Sequence, residues 1–533
     1  MAEYRSRVLS RRGWLGIALC ASGLGLTPGR GSTQPAVAVA NPSTDASATW
    51  LDGVGWPGSS AQDALRALAG AASDGLAPED YQAAGLAERA LRLPSDVGTA
   101  LPASTFAHDL AAAMQRFLHD LHLGRVDPRV LGFRVARADA TAPDFAALLR
   151  DAATQQRVPQ LVADLRPRMR QYGRLREALA RYRVLATAGL TGRLPTQVPV
   201  KPGDLYRGTA ALQALLIALG DLPVDAPPAG DVYDATLAEG VVRFQNRHGL
   251  TADGVIGRGT LAALNVPLER RVQQLEQALE RLRWLPADLG EHAFVGINIP
   301  LFRLWVWDPT TPDRIPVSMG VVVGRALNTR TPVIAEDMRY LIFRPYWNVP
   351  RSILRNELLP VLQRDPGYLQ RTDMEIVRGP SDEAQPVAAT DENLALLEQG
   401  QLRLRQRPGP KNSLGRVKFI FPNDENVYLH DTPARSLFGR ARRDFSHGCV
   451  RLEDAAALAQ WVLRDQPDWT RERIEAAMEG NISFRVDLAR PLPVILFYMT
   501  AMLLPSDPAL HFADDIYGHD ARLARALKSR PIR

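Results

Sequence analysis

Cysteine is almost absent from this sequence, which contains two in 533 residues, Cys20 and Cys449. If an N-terminal leader is removed together with Cys20, one thiol remains and an internal disulfide is excluded. A lone thiol in an exported, oxidising compartment favours a cysteine that is either buried or used in chemistry. Without further cysteines, and without HExxH or a similar spacing, no metal site is predicted.

Lysine is scarce as well, so the net charge of +6 comes almost entirely from arginine. No basic cluster interleaved with aromatic residues is present, and we expect no nucleic-acid partner. Long apolar runs are also missing. The runs Trp14–Leu26 and Pro491–Pro505 are both shorter than the ~20 residues that a membrane helix needs. The second is bounded by prolines and is predicted to be a buried strand.

The first forty residues have the pattern of a secretory signal. Four arginines precede the apolar run Trp14–Leu26, and Ala38-Val39-Ala40 offers small residues for cleavage. The pair Arg11-Arg12 also fits a twin-arginine signal, whereas Leu19 disfavours lipoprotein cleavage at Cys20. We therefore expect an exported, periplasmic protein, and an uncleaved N-terminal membrane anchor is the less favoured alternative.

Changes of pattern along the chain predict a multidomain α+β protein. Helical spacing dominates up to about residue 266, and short strands rich in β-branched and aromatic residues follow from about His292. The charged stretch 379–406 is predicted to be a lid or capping insertion over a site. The predicted boundaries are 1–40 for the signal, 41–57 for a linker, 58–200 for a helical domain, 201–266 for a small helical module, 267–290 for a connecting helix, 291–500 for a mainly β domain and 501–533 for a C-terminal segment packed on it.

Three helices are predicted in detail. One has apolar residues at helical spacing, with Ser104 or Thr105 as its N-cap and Gly124 at its end. A second is predicted from about Val162 to Ala186. Pro267 begins the third, an amphipathic helix that connects the module to the β domain.

The module at 201–266 carries a repeated turn pattern. Its glycines in His248-Gly249-Leu250, Asp253-Gly254 and Ile256-Gly257 predict tight turns between short helices, and Thr260 is predicted to cap the last helix. Together with Phe244-Gln245, these motifs resemble the peptidoglycan-binding module of many cell-wall enzymes. A structural spacer is the alternative interpretation.

The stretch Asp444–Leu452, DFSHGCVRL, surrounds Cys449 with polar and turn-forming residues that would make a poor core. A helix predicted at Ala455–Leu463 follows, and its N-terminus would favour the thiolate. Gly448 permits a sharp turn, so nearby amides would face a developing oxyanion. These features favour a nucleophile over the common alternative of an inert buried thiol.

A cysteine nucleophile also needs a base, and two histidines are candidates. His447 lies two residues before Cys449, on the same face if the chain is extended. His430 ends a predicted β-hairpin of Val417–Phe421 and Val427–His430 with a five-residue loop. A backbone carbonyl such as that of Asp431 would orient its other ring nitrogen.

The spacing of His430 and the run Ser446-His447-Gly448-Cys449-Val450-Arg451 resembles the signature of the L,D-transpeptidase catalytic domain. The runs Tyr346–Pro350 and Tyr428–Pro433 agree with it. The domain order is similar to that of the large periplasmic members, with a helical scaffold domain, a peptidoglycan-binding module and a mainly β catalytic domain with a capping insertion.

The resemblance implies a role for each site residue. Cys449 would be the nucleophile and His430 its base, with Asp431 acting through its carbonyl. His447 and Gly448 would shape the site and its oxyanion region. Core packing is the alternative for two of the aromatic residues, Trp347 and Tyr428. The substrate-binding residues implied are Arg451, which would meet a substrate carboxylate or orient the loop, with Tyr428, Trp347, Asn348 and Ser446.

The activity implied is a two-step acyl transfer without metal or cofactor. Cys449 would take the third residue of a peptidoglycan tetrapeptide stem as a thioester and pass it to the diaminopimelate amine of a neighbouring stem, giving a 3→3 cross-link that carbapenems inhibit. Hydrolysis as an L,D-carboxypeptidase, transfer to another amine, or a purely wall-binding role are the alternatives. Partners in cell-wall synthesis are also expected.

Overall fold

The structure, a computed structural model, describes residues 50–52, 57–93, 100–135, 142–189, 193–286, 288–311, 314–327, 329–365, 367–504, 507 and 509–529. The predicted signal at 1–40 and most of the linker at 41–57 lie outside these residues. The predicted fold class is confirmed, because a helical N-terminal region and a small helical module precede a β-rich region. Among the helices that the structure describes, none has the length and apolarity needed to cross a membrane.

The N-terminal region is helical, with a core built on the long helix α3, Ala100–Leu123. Its side chains Phe106, Leu110, Met114, Phe117 and Leu121 are at most 1% exposed, as their helical spacing predicts. Burial of each such side chain contributes roughly 1.5–3 kcal/mol. The helices of this region are α1 Ser59–Ala69, α2 Ala83–Arg92, α3 Ala100–Leu123, α4 Phe145–Thr154, α5 Val158–Leu165 and α6 Arg170–Thr187.

Two helix boundaries differ from the prediction. Helix α3 begins at Ala100 and not after Ser104 or Thr105, because a proline (Pro102) is tolerated in a first helical turn. The single helix predicted from Val162 to Ala186 is two helices, α5 and α6, because Pro167 between them cannot continue α5.

The module consists of α7 Thr209–Leu219, α8 Ala235–Arg247 and α9 Arg258–Leu264. Its turns are held by the amide of Gln245, which donates to Val255 O (3.0 Å) and to Thr260 Oγ1 (3.1 Å). Thr260 lies inside α9 and does not cap it, because Gly257 occupies the N-cap position. The threonine hydroxyl instead donates to Val255 O.

The connecting helix α10, Leu268–Leu282, contacts both the N-terminal helical region and the C-terminal segment. Glu280 Oε1 accepts from the amides of Arg125 (2.6 Å) and Val126 (2.9 Å) beyond α3. On another face Arg281 pairs with Asp520 at 2.6 Å, and both side chains are at most 4% exposed. The helix therefore joins the N-terminal helices to the C-terminal segment through buried charges.

The β-rich region is a nine-stranded sheet in the order β11-β3-β12-β10-β9-β4-β13-β1-β2. Because β2 also pairs with β3, the sheet closes on itself around an apolar interior. In the described part of the chain the strands are β1 Phe294–Asn298, β2 Arg303–Trp307, β3 Ser318–Gly324, β4 Ile334–Phe343, β5 Trp347–Asn348, β6 Met374–Val377, β7 Pro386–Val387, β8 Arg403–Gln406, β9 Val417–Ile420, β10 Leu429–His430, β11 Asp444–Ser446, β12 Val450–Leu452, β13 Phe484–Phe497, β14 Ala501–Leu503 and β15 Leu510–Phe512.

Strands β9 and β10 form the predicted antiparallel hairpin, with Phe419 opposite Leu429. Its loop covers residues 421–428 and is longer than the five residues predicted. Asn423 closes it, accepting from Val427 N at 3.1 Å and donating to Val427 O at 2.7 Å. These side-chain hydrogen bonds replace the strand pairing that the alternating sequence suggested.

An insertion with its own apolar core separates β4 from β9. It contains a four-stranded sheet, β5-β8-β6-β7, and packs Ile376, Leu397 and Leu404 at most 1% exposed. The stretch 379–406 supplies only β7, a helix and β8, so the insertion is larger than the predicted lid. Its helical elements are α11 Arg351–Ile353, the π-helical turn Leu354–Leu358, α12 Leu359–Arg364, α13 Tyr368–Arg371 and α14 Asp391–Gln399.

After β12 the chain forms α15 Ala455–Val462 and α16 Arg471–Glu479, and α17 His519–Ser529 is the last element that the structure describes. The single strand predicted at Pro491–Pro505 is divided in the structure. Its first part belongs to β13, which begins at Phe484, ends at Phe497 and lies between β4 and β1, and residues 501–503 form β14 in a separate two-stranded sheet. Before α17, the Tyr517 hydroxyl donates to Gly324 O at 2.5 Å. The C-terminal segment thus packs on the end of β3 as well as on α10.

His519 makes the stability of this packing dependent on pH. The ring lies 4.7 Å from Tyr498 and 4.9 Å from Phe133, and burial, followed by Arg281 and Arg522, lowers its pKa to about 3. Below pH ~6.5 the imidazole binds a proton in the unfolded chain but not in the folded chain. The contribution of neutral His519 to the free energy of unfolding is therefore complete above pH ~6.5, and it falls by about 1.4 kcal/mol per pH unit towards pH 3. Denaturant titrations at pH 7 and pH 5 should show a smaller pH dependence for His519→Phe; an unchanged dependence would contradict this assignment.

Breaking the Arg281–Asp520 pair should destabilise the protein strongly. In Asp520→Ala the Arg281 guanidinium stays buried without its carboxylate, and Thr500 Oγ1 loses the acceptor that it contacts at 2.5 Å. We expect a loss of about 3–5 kcal/mol in the free energy of unfolding, measured by urea denaturation. The control Asp465→Ala, which removes an exposed pair with Arg490, should cost less than about 1 kcal/mol. Equal losses in the two variants would refute the central role of α10.

Candidate active site

A cavity of about 610 Å³ lies between the nine-stranded sheet and the insertion. Eight of the ten predicted site residues line it, and Gly448 and Asp431 are not among the lining residues. The residues that line it are Cys449, His430, His447, Arg451, Tyr428, Trp347, Asn348 and Ser446.

A second cavity of similar size, about 640 Å³, lies between α6, the end of α10 and the strands β1, β2 and β13. Its walls are mostly apolar and aromatic, with arginine and glutamate at the rim. Among the described residues that line it there is neither a cysteine nor a histidine. Nucleophilic chemistry therefore points to the first cavity.

Strand pairing brings the predicted nucleophile and base to one face. Strands β10 and β12 run parallel with Leu429 opposite Val450 and His430 opposite Arg451, and Val450 N donates to Tyr428 O at 3.1 Å. Because side chains alternate along a strand, Leu429 and Val450 enter the core and their neighbours face the cavity. His430 and Cys449 are diagonal neighbours on this face. Among the described contacts no hydrogen bond joins their side chains.

His430 is held as a neutral imidazole with a defined tautomer. Its Nδ1 lies 2.5 Å from Asp431 O, and because a carbonyl only accepts, Nδ1 carries the proton. Burial first, and then the charge of Arg451, lower the pKa of His430 to about 3. Nε2 is therefore unprotonated at neutral pH and able to accept a proton.

Cys449 lies in the wall of the cavity as a thiol. Burial raises its pKa above the ordinary value, while Tyr428, through its amide and hydroxyl, and the charges of Arg451 and Lys418 act in the opposite direction. The thiol contacts Asn426 O at 3.8 Å. The resting site thus pairs a protonated thiol with a neutral imidazole.

The expectation that a helix N-terminus favours the Cys449 thiolate is not met. Strand β12 lies between Cys449 and α15, and the first amides of α15 are capped by Asp454, whose side chain accepts from Ala457 N at 2.9 Å. The field of a helix end falls off within a turn, so it does not reach the thiol.

The loop that carries Cys449 is fixed by Ser446 and Gly448. Ser446 Oγ donates to Cys449 O (2.5 Å) and accepts from Gly448 N (3.2 Å), while Gly448 O accepts from Thr331 Oγ1 (2.7 Å). Gly448 has φ = +117°, a conformation that other residues rarely adopt. Ser446 is only 2% exposed, so its hydroxyl orders the loop and is not free for the substrate contact that was predicted. The Gly448 amide is likewise engaged.

Asp431 contributes in two ways. Its carbonyl orients His430, and its buried carboxylate accepts from Arg416 N (2.9 Å) and Arg435 Nη2 (2.7 Å). The carboxylate therefore fixes the chain after β10, which keeps the carbonyl in place.

His447 links the loop that carries Cys449 to the insertion. The chain bends at residues 447–449, so His447 and Cys449 do not share a face as an extended chain would allow. Its Nε2 contacts Glu357 Oε1 at 2.6 Å, in the π-helical turn Leu354–Leu358. Such turns are common at functional sites.

Trp347 and Asn348 form β5 of the insertion and line the same cavity as Cys449. Trp347 is half-buried and packs on the core of the insertion, so packing and cavity lining coexist. Asn348 is exposed, and its Oδ1 accepts from Arg403 Nη1 at 2.6 Å.

Two further residues, Lys418 and Glu357, belong to the site and were not predicted from the sequence. Lys418 pairs with His430 across β9 and β10 and lines the cavity. It is one of four lysines in the chain, and its place in an alternating strand beside His430 was the available signal. Glu357 had no such signal, because only tertiary packing brings the insertion to His447.

Comparisons with known proteins agree with the three-part organisation. Residues 43–179 match the model of a scaffold domain, residues 208–264 that of a "Putative peptidoglycan binding domain", and residues 293–475 that of the L,D-transpeptidase catalytic domain. The resemblance predicted from the sequence is confirmed at the level of these domains.

A relative from Haemophilus influenzae (strain ATCC 51907 / DSM 11121 / KW20 / Rd), named "Putative L,D-transpeptidase", is 30% identical over 251 residues. The alignment covers 47% of this chain and 49% of the relative, so it spans about half of each protein.

The ionisation of Cys449 can be measured by alkylation. Because burial raises the pKa of the thiol, the rate of iodoacetamide labelling in a Cys20→Ser background should reach half its maximum above pH 9. Tyr428→Phe removes a hydrogen bond to the thiolate and should move this midpoint higher, whereas Tyr368→Phe, outside the cavity, should not. Mass spectrometry follows the reaction. A midpoint near pH 7 would instead indicate a resting thiolate–imidazolium pair.

Proposed function

We propose that this chain, which carries the catalytic domain of the L,D-transpeptidase family behind a scaffold and a binding module, is a periplasmic enzyme that forms 3→3 peptidoglycan cross-links. The observation that carries the proposal is the placement of Cys449 and His430 on one face of a cavity, with His430 Nδ1 bound to Asp431 O. That arrangement leaves Nε2 to accept the thiol proton. Hydrogen bonds at catalytic residues are often completed only when substrate binds.

In the first step His430 Nε2 takes the proton of Cys449, and Sγ attacks the carbonyl carbon of the third stem residue. The S–C bond forms and the amide C–N bond to the terminal D-alanine breaks, with the proton passing from His430 to the leaving nitrogen. The product is a thioester and free D-alanine. Splitting the transfer in two is what the nucleophile contributes.

In the second step the diaminopimelate amine of another stem attacks the thioester. A C–N bond forms and the C–S bond breaks, while His430 takes a proton from the amine and returns it to the thiolate. The described contacts leave the Cys449 amide without an acceptor, which makes it the donor available to the oxyanion in both steps.

The surrounding domains have supporting roles in this proposal. The insertion covers the cavity and limits water, which favours the amine as acceptor over hydrolysis. The module 208–264 holds the enzyme on peptidoglycan, and an extracytoplasmic location follows from such a substrate. Carbapenems are expected to acylate Cys449, and cell-wall synthesis proteins are expected partners.

The test uses purified protein with disaccharide-tetrapeptide and analysis of the products by mass spectrometry. Wild type should yield cross-linked dimers, Cys449→Ala none, and His430→Ala about 10²- to 10⁴-fold fewer, because the base is lost. His108→Ala, an exposed histidine of α3, is the matched control and should behave as wild type.

Three other outcomes would each overturn part of the proposal. Tripeptide without dimers from the wild type would indicate hydrolysis. Equal products from wild type and Cys449→Ala would refute the nucleophile. Binding to sacculi without any product would leave a wall-binding protein.

A further inference from the structure

Two cationic side chains flank His430 on the face that carries Cys449. Lys418 on β9 and Arg451 on β12 are both register partners of His430, one on each side. The three side chains form a row across the sheet, and all of them line the cavity. Tyr428 and Cys449 lie on the same face, two residues before His430 and Arg451 along their strands.

Neither cation has a carboxylate partner among the described residues. Arg451 Nε is buried without a hydrogen bond, and Lys418 Nζ lies 5.8 Å from the centroid of the Tyr428 ring. Burial lowers the pKa of Lys418, while Asp382, and after it Cys449, act in the opposite direction through their charge, and among the described contacts no ion pair joins Lys418 to either of them. Two partly desolvated positive charges without counter-ions are costly unless a ligand supplies the negative charge.

The ligand chemistry can be narrowed by the position of the cations beside the nucleophile. In the donor stem, the residue that leaves carries a free α-carboxylate next to the scissile amide. When the carbonyl carbon of that amide contacts Cys449 Sγ, this carboxylate lies a few ångströms from the thiol. The row of His430, Lys418 and Arg451 lies at a similar distance from Cys449. A carboxylate also matches a guanidinium and an ammonium in charge and geometry.

We propose that Lys418 joins Arg451 in binding a carboxylate of the donor, and that this carboxylate is the terminal α-carboxylate of the leaving residue. This proposal rests on the proposed acyl transfer and adds Lys418 to the site as a specificity-determining residue. The donor has a second carboxylate, on the diaminopimelate side chain, and the test must separate the two.

Occupation of the site would also act on His430. Arg451 and Lys418 both lower the pKa of His430, after burial. A bound carboxylate offsets their charges, so the base is strengthened only when a correct donor is present. Tyr428 and Cys449, the other titratable groups on this face, stay neutral while the donor binds, because burial raises the pKa of both.

The experiment compares three synthetic donors: the tetrapeptide, the same peptide with a terminal carboxamide, and the peptide amidated on the diaminopimelate side chain. Wild type should acylate the terminal carboxamide about 10- to 100-fold more slowly than the free acid, the loss of one charge-assisted contact. Lys418→Met should bring this ratio below about 3-fold, because it slows the free acid more than the carboxamide, and Lys418→Arg should restore it. Amidation of the diaminopimelate should slow all variants equally.

Controls separate this proposal from a structural or purely electrostatic effect of Lys418. Lys528→Met, an exposed lysine of α17, should keep the wild-type ratio, and thermal melting should show that Lys418→Met is folded. If Lys418→Met slows both terminal forms equally, the lysine acts on Cys449 or His430 and not on the carboxylate. If amidation of the diaminopimelate instead abolishes the effect of Lys418, the pair binds that carboxylate, and our assignment is wrong.

Binding measurements keep the proposal independent of turnover. Calorimetry with Cys449→Ala and with Cys449→Ala/Lys418→Met should show that the lysine is needed to prefer the free acid over the terminal carboxamide. If this preference appears but the wild type performs no transfer, the proposed function fails while the carboxylate site stands. If the two proteins bind both ligands alike, the site is refuted whatever the activity.

Discussion

The site depends on the parallel pairing of β10 and β12. This pairing is short, two residues on each strand, yet it sets Tyr428 and His430 beside Cys449 and Arg451 on one face of the sheet. A shift of one residue in either strand would turn one partner into the core. Leu429 and Val450, both fully buried, hold the register because only this alignment puts both of them in the apolar interior.

The electrostatics of the site follow from the burial that this register imposes. Desolvation disfavours every charged form, so it raises the pKa of Cys449 and lowers that of His430, and the resting pair is neutral. A neutral pair avoids the cost of a buried ion pair, and in the proposed reaction the thiol proton has to move when substrate binds. The charges of Arg451 and Lys418 favour the Cys449 thiolate and disfavour the His430 imidazolium. A carboxylate bound in the cavity would offset these charges, so in the proposed reaction ligand binding changes the proton affinities of both groups.

The rest of the chain supports this face from two directions. The insertion has its own apolar core and contacts the loop that carries Cys449 through Glu357 and His447. On the opposite side, α10 ties the N-terminal helices to the C-terminal segment, and Tyr517 of that segment binds the end of β3, the strand that pairs with β12. The large helical part therefore contacts the site through a chain of buried contacts, and none of its described residues lines the cavity.

The sequence by itself determined the elements whose signals are local. Apolar spacing predicted α3 and α10, alternation predicted β9 and β10, and the run Ser446–Arg451 with His430 indicated the chemistry, because these patterns reflect contacts between residues near in the chain. Tertiary structure alone decided what depends on distant contacts. Strand β12 separates Cys449 from the N-terminus of α15, which Asp454 caps, and the Ser446 hydroxyl is bound within its own loop. Lys418 and Glu357 lie at the site only because strand pairing and the packing of the insertion place them there. The pKa values of Cys449 and His430 belong to the same class, since desolvation is set by everything that packs around a side chain and is not encoded in its immediate neighbours.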